Sequence, residues 1–160
     1  MFLRHFISSF LVMMIFSATT LAKDIPLEKC PLPVQETIRH HARDGVIDEV
    51  EYLAIEGRRM FIAEIEFPQD RELKIYVQAN GTLFKTREEI ALQDTPTAVQ
   101  EAAQRLADTQ GKVDDVVKTI EASGKESYEL EFKLRGKKEV KIVFSPDGSI
   151  LSRKEKKSKD

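Results

Sequence analysis

His40, His41 and Cys30 are the residues of the main chain body whose types suit metal binding or nucleophilic chemistry. Adjacent positions on a helix point about 100° apart, so His40 and His41 cannot both reach one metal from a single helix. Glu36 and Asp44 each stand four residues from His40, which allows a one-His, two-carboxylate site; the same spacing describes ordinary pairs on a solvated helix face. A Cys–His nucleophile fares no better. About ten residues of helix put Cys30 roughly 15 Å from the His pair, beyond reach of proton transfer. Carboxylate pairs are plentiful: Glu64 with Glu66, Glu129 with Glu131, Asp114 with Asp115. On a strand, Glu64 and Glu66 share a face roughly 7 Å apart, a gap a glycosidase can use. Alternating glutamates are also what the wet face of an amphipathic strand looks like. No glycine-rich phosphate loop and no cofactor motif is present. The expectation is a protein that is not an enzyme, with no catalytic residue, metal site or cofactor.

The composition agrees. The chain has 160 residues, 41% hydrophobic and 32% charged, one Cys, no Trp and a formal net charge of −2. That is too apolar for disorder, too poor in Cys for a disulfide framework, and without the basic footprint of a nucleic-acid binder. Residues 1–22 read as a secretory signal peptide. Arg4 precedes the apolar run Leu11–Phe16, and Thr20-Leu21-Ala22 fits a small-x-Ala cleavage site after Ala22. The run is shorter than the roughly 20 residues a membrane span needs, and no second one follows. The expected location is the periplasm or outside the cell. Cys30 is preceded by Glu28 and Lys29, which does not suit a lipid attachment site. It reads as a small buried thiol beside a helix start, or else as an intermolecular disulfide.

The elements that must position these residues come in two sets. Val34-Gln35-Glu36 recurs as Val99-Gln100-Glu101, and Ala63-Glu64-Ile65-Glu66-Phe67 as Tyr128-Glu129-Leu130-Glu131-Phe132. Glu72-Leu73-Lys74-Ile75 recurs as Glu139-Val140-Lys141-Ile142, and Asn80-Gly81 as Asp147-Gly148. The offset is 65 at the first two motifs and 67 at the last two. Pro33 and Pro96 suit helix starts, Thr95 suits an N-cap, and Gly45 and Gly111 suit helix ends. Val99, Ala102, Ala103 and Leu106 form one apolar helix stripe, as do Val34, Ile38 and Ala42. Strands are expected at 46–55 and 113–121, then through the period-two segments, with tight hairpins at both Asx-Gly pairs. Setting Phe67 opposite Leu73 and Phe132 opposite Val140 places two extra residues, Gly136 among the loop, in the second set. The predicted organisation is a signal peptide at 1–22, repeats at 23–90 and 91–154, and a basic disordered tail at 155–160.

A proline-led helix, a Tyr-Glu-Leu-Glu-Phe strand, a Lys-bearing strand and an Asp-Gly hairpin, in tandem, resemble the PepSY-like family of exported bacterial proteins. That family is similar in fold to the beta-lactamase inhibitory protein. The resemblance implies an α+β fold of two tandem helix–antiparallel-sheet repeats, the helices packed on one face of the sheet. It also implies a binding or inhibitory role, since related domains occur in peptidase propeptides and as protein inhibitors. Its motifs are structural and bring no functional residue with them, and Ala63 departs from the pattern where the second copy has Tyr128.

By parity the sheet face away from the helices carries Met60, Ile62, Glu64, Glu66, Lys74, Tyr76 and Leu83, with Glu129, Glu131, Lys133, Lys141, Val143 and Ile150 from the second set. Apolar islands within charge suit a protein interface. They also suit side chains covering one another across strands. The candidate partner-binding residues are Met60, Ile62, Glu64, Glu66, Lys74, Tyr76, Lys133 and Lys141. The function read from them is an exported, non-catalytic module that binds or inhibits another protein, a peptidase or other hydrolase, through this face. The alternative is a periplasmic sensor or stress-related module for a small or ionic ligand. A protein or peptide partner is expected, with no nucleic acid and no membrane span in the mature chain.

Overall fold

A computed structural model describes residues 23–55, 57–69, 71–133 and 139–156. The expected signal peptide and the Gly136 loop lie outside the described residues. The order of elements is β1 (Lys23–Asp24), α1 (Leu32–Ala42), β2 (Val46–Ile55), β3 (Arg58–Phe67), β4 (Arg71–Gln78), β5 (Leu83–Glu89), α2 (Thr97–Gln110), β6 (Lys112–Glu121), β7 (Glu126–Lys133), β8 (Glu139–Phe144) and β9 (Ile150–Lys156). Short 3-10 turns, Leu27–Lys29 and Leu92–Asp94, lead toward the two helices.

The expectation of two tandem helix–sheet repeats is corrected by the strand order. All the strands belong to one nine-stranded antiparallel sheet, β1 to β9 in sequence order, with only two α-helices among the described residues. The cause lies at β5. It pairs with β6 over five residues, from Lys85↔Glu121 to Glu89↔Val117, so the backbone ladder runs unbroken past residue 90. Hydrogen bonding there joins what hydrophobic patterning suggested were two units.

Period-two alternation carries through to packing. On β4, Leu73, Ile75 and Val77 are buried while Lys74 and Tyr76 are half-buried on the other side. On β8, Val140, Ile142 and Phe144 are fully buried. One apolar cluster joins Val34, Ile38 and Ala42 of α1 to Ala63, Ile65, Ile75 and Val77. A second joins Val99, Ala102 and Ala103 of α2 to Leu130, Phe132, Ile142 and Phe144. Burial of this kind contributes about 25 cal/mol per Å² of apolar surface, which is why the stripes and the strands find each other.

Several local expectations are revised. Phe67 pairs with Arg71, and it is Ile65 that faces Leu73, whereas Phe132 does face Val140. A slip of two residues leaves every side chain on its expected face, so parity could not detect it. By this register Phe61, not Ala63, holds the place of Tyr128.

Leu83 and Ile150 leave the open face. A register break after Tyr76↔Lys85 makes Phe84 an extra residue, and Leu83 turns to face Val77 and packs against the α1 cluster. The same break on β9 leaves Leu151 extra and sets Ile150 opposite Phe144. Thr95 does not cap α2. It is buried, and its Oγ1 donates to Leu92 O at 2.7 Å within the 3-10 turn, while Pro96 takes the N-cap position without a side-chain bond.

Finally, α1 ends at Arg43 rather than Gly45. Arg43 adopts φ 54°, its guanidinium 2.8 Å from Glu88 and stacked on Phe67. Gly45 serves a close approach: a Cβ there would collide with Ile65 and Phe67. β9 extends to Lys156, past the start of the expected tail, and residues 157–160 lie outside the described residues.

Candidate functional site

The face away from the helices is positioned by β3 to β8. Their alternate residues bring Glu64, Glu66, Lys74, Tyr76, Lys133 and Lys141 to one side, together with Glu72, Arg87, Glu89, Asp115 and Glu129. Met60 and Ile62 come to the same side but are covered, at 1% and 7% exposure. Ile62 lies between Glu51 and Tyr76, and Met60 between Leu53 and Gln78, so each is flanked on both sides by side chains of similar or greater size. They form a floor beneath the face, below Tyr76 and the charged rim. Val117, at 9%, lies likewise on this side next to Glu89 and Glu129.

The charged groups are held in two networks. In the first, Lys74 Nζ bridges Glu64 and Glu72, the latter at 3.0 Å. Partial burial pulls the Lys74 ammonium down, but hydrogen bonds and charge from Glu64 and Glu72 outweigh it and hold it well above the ordinary lysine range. In the second, Lys141 Nζ lies 2.8 Å from Glu131 and 3.5 Å from Glu129, and Arg87 Nη2 lies 3.2 Å from the same Glu129 oxygen. The hydrogen bond from Lys141 to Glu131 raises the Lys141 pKa against the opposing effect of burial. Lys133 stands apart, 2.6 Å from Asp114 at the far margin, and Glu66 is exposed. The Lys85 ammonium sits 4.6 Å over the Tyr76 ring.

Between the networks lies a groove of about 300 Å³, lined by Glu72, Lys74, Tyr76, Arg87, Glu89 and Asp115 and floored by Val117. It crosses the β5–β6 junction, so residues from before and after α2 contribute to it. Burial raises the Glu89 pKa, and the charges of Asp115 and Glu72 raise it further. Glu64 and Glu66 do not line this groove, and Glu64 is tied to Lys74. The pair is not arranged as an acid and base across a cleft.

Two features escaped sequence reasoning. The groove needs Arg87, Glu89 and Asp115, which only the β5–β6 pairing assembles. Asp24, Glu49 and Glu51 form the other: one oxygen from each lies within 4.8 Å of the rest. A hydrogen bond to Asp24 raises the Glu49 pKa, with Asp24 charge adding to it. The only sequence signal for it was the acidic character of the Asp48-Glu49-Val50-Glu51 stretch. Cys30 is buried, with Sγ 3.8 Å from Pro26 O, and burial pushes its thiol pKa up, away from the reactive thiolate.

No protein-family model and no curated protein matches this chain in sequence. In fold it is similar to several solved structures. A DUF2874 family protein from Bacteroides uniformis matches with a TM-score of 0.63 at 17% identity, over 79% of this chain and 89% of that one. A BLIP-like protein from Bacteroides fragilis matches with a TM-score of 0.61 at 19% identity, over 85% of this chain and 91% of that one. A candidate periplasmic protein from Bacteroides eggerthii matches with a TM-score of 0.63 at 14% identity, over 79% and 88%. The likeness is one of fold, and the fold is BLIP-like. Among the described residues, no helix is long and apolar enough to cross a membrane.

Proposed function

We propose that this protein is an exported, non-catalytic module that binds another protein, a peptidase or other hydrolase, through the sheet face away from its helices, and inhibits it by occupying its surface. The reading includes a signal peptide cleaved after Ala22, a periplasmic or secreted location and kinship with PepSY-like proteins. The observation that carries it is the groove across the β5–β6 junction. A half-buried aromatic, Tyr76, stands among cations already fixed by ion pairs, with Val117 as the apolar floor. Fixed side chains lose little freedom on docking, and an aromatic ringed by charge has the anatomy of an interface centre. Likeness in fold to a BLIP-like protein supports the same reading.

The test is inhibition. Purified protein is titrated into the exported fraction of its source, and peptidase and other hydrolase activities are followed. A saturable loss of one activity is expected, weakened at least tenfold by Tyr76→Ala and by Lys74→Ala, with melting temperatures of both variants close to the parent. An exported fraction whose hydrolases are all unaffected, or variants that inhibit as well as the parent, would overturn the proposal.

A further inference from the structure

β9 closes the strand order, and among the described residues it pairs on one side only, with β8. An antiparallel strand aims alternate backbone groups to either side, so a seven-residue end strand offers a row of them outward. Two apolar side chains open at the same place: Ile150 is 52% exposed and Leu151 49%.

The molecule itself shows what such an edge accepts. β5 has the local geometry of β9. Each follows an Asx-Gly turn, and each carries a register break, at Tyr76/Val77 and at Val143/Phe144. Leu83 and Phe84 stand on β5 where Ile150 and Leu151 stand on β9. At β5 the outer edge is filled by β6 through five residue pairs, and Phe84 O accepts a hydrogen bond from Ala122 N at 3.0 Å. Leu83 and Phe84 are partly covered, Leu83 by the α1 cluster as well.

Charge decides the occupant. The β5–β6 ladder includes two opposite-charge pairs, Lys85↔Glu121 and Glu88↔Lys118. β9 carries Arg153 and Lys154 at its centre, and Lys141 stands directly opposite Lys154 on the inner side. A second β9 laid antiparallel about Arg153, the middle residue, would set Arg153 against Arg153, a like-charge pair that disfavours this self-pairing. An acidic side chain opposite Lys154 would meet its complement.

We infer that β9 is a docking edge for an extended acidic segment of a partner protein, which adds as a tenth strand and covers Ile150 and Leu151. Main-chain bonds would supply affinity and the Lys154 pairing would supply selectivity. The surface is separate from the groove, so each reading stands or fails without the other.

The probes are two synthetic peptides of residues 112–121, the strand that fills the β5 edge, one with Thr119→Glu and one with Thr119→Lys. Thr119 pairs with Arg87, and Arg87 occupies on β5 the place of Lys154 on β9. Binding to the whole protein is followed by fluorescence anisotropy. The acidic peptide is expected to bind at least tenfold more tightly than the basic one, and Lys154→Glu in the protein should reverse that order. Phe84 and Ile90 turn their backbone groups toward β6, so by alternation Glu88, and on β9 Glu155, point outward. Glu155→Pro should therefore abolish binding while the melting temperature stays near that of the parent.

Three results would overturn the inference. Equal affinity for both peptides, or none for either, is the first. Unchanged binding by a folded Glu155→Pro protein is the second. Self-association of the protein alone that Lys154→Glu abolishes would assign the edge to a second copy instead.

Discussion

Around α1 and around α2 the sheet meets its helix with opposite distributions of bulk. The α1 side sets Ile38 in a cluster with Ala63, Ile65 and Val77. The α2 side sets Ala103 in a cluster with Leu130, Phe132 and Phe144. Ala63, Ile65 and Val77 on the Ile38 side are smaller than Leu130, Phe132 and Phe144 at the matching register on the Ala103 side, while Phe61 and Tyr128 are aromatic on both. Interiors are packed at near-crystalline density, so the gap between helix and sheet must be filled from one side or the other. The opposite face shows the reverse relation. There the two regions differ little in kind, a lysine among glutamates in each, and what is distinctive is the groove where they join.

The sharpest way to break this comparison is to empty one side. Phe132 is fully buried, and Phe132→Ala should cost about 3–5 kcal/mol, with Ile65→Ala on the other side costing about 2–5 kcal/mol. Each variant should lower one cooperative melting transition, because the ladder is continuous. Two separated transitions in calorimetry would mean that the regions fold apart.

Hairpin glycines give the next effect. Gly81 has φ +87°, and a Cβ there would lie 2.5 Å from Pro33 Cβ of α1; Gly148 has φ +81° with Ala98 O of α2 at 2.5 Å. Gly124, φ +82°, has open space. Denaturant titration should find Gly124→Ala destabilised by about 1–2 kcal/mol from backbone strain alone, and Gly81→Ala and Gly148→Ala by clearly more. Equal costs at all three would show that the helices do not press on the hairpins.

Tyr128 separates the two regions by pH. Burial, then the hydrogen bond and charge of Glu126, push its pKa up to about 12, while Phe61 at the matching register cannot titrate. A folded-state pKa above the unfolded value means stability that is complete below about pH 10 and is lost as pH rises toward 12. Tyr128→Phe should flatten that alkaline loss in a series of melts from pH 9 to 12. An unchanged slope would place the alkaline sensitivity elsewhere.

Smallest should be the surface pairs. Lys74→Ala and Lys141→Ala each remove a partly exposed lysine from its glutamates, an effect typically of up to about 1 kcal/mol, less at high salt. If Lys74→Ala costs several times more than Lys141→Ala, the first network is structural and the second is not.

Much of this molecule was legible before folding, and the reason is parity. Alternation told which residues of β3, β4, β7 and β8 face the helices, and Asn80-Gly81 and Asp147-Gly148 marked both hairpins, because each signal lies within a few residues of chain. The misplacements share a cause. Leu83 and Ile150 changed sides at breaks that depend on the neighbouring strand, and Phe67 missed its partner by two residues, a slip that alternation cannot register. Met60 and Ile62 were placed on the correct side of β3 but read as accessible. Their burial depends on Leu53, Tyr76 and other residues brought beside them by pairing.

The candidate site divides along the same line. Lys74, Tyr76 and Lys141 could be read from the chain, since each needs only its own strand. Arg87, Glu89 and Asp115 could not, since they matter through the junction that seats β6 on β5. The amino-acid sequence by itself determined the helices, the hairpins and the face taken by the residues of β3, β4, β7 and β8, all set by local backbone preference and periodicity. Tertiary structure alone decided that there is one sheet, where its registers break, and that a groove crosses its middle. Those depend on backbone hydrogen bonds between residues far apart in the chain, which no local pattern encodes.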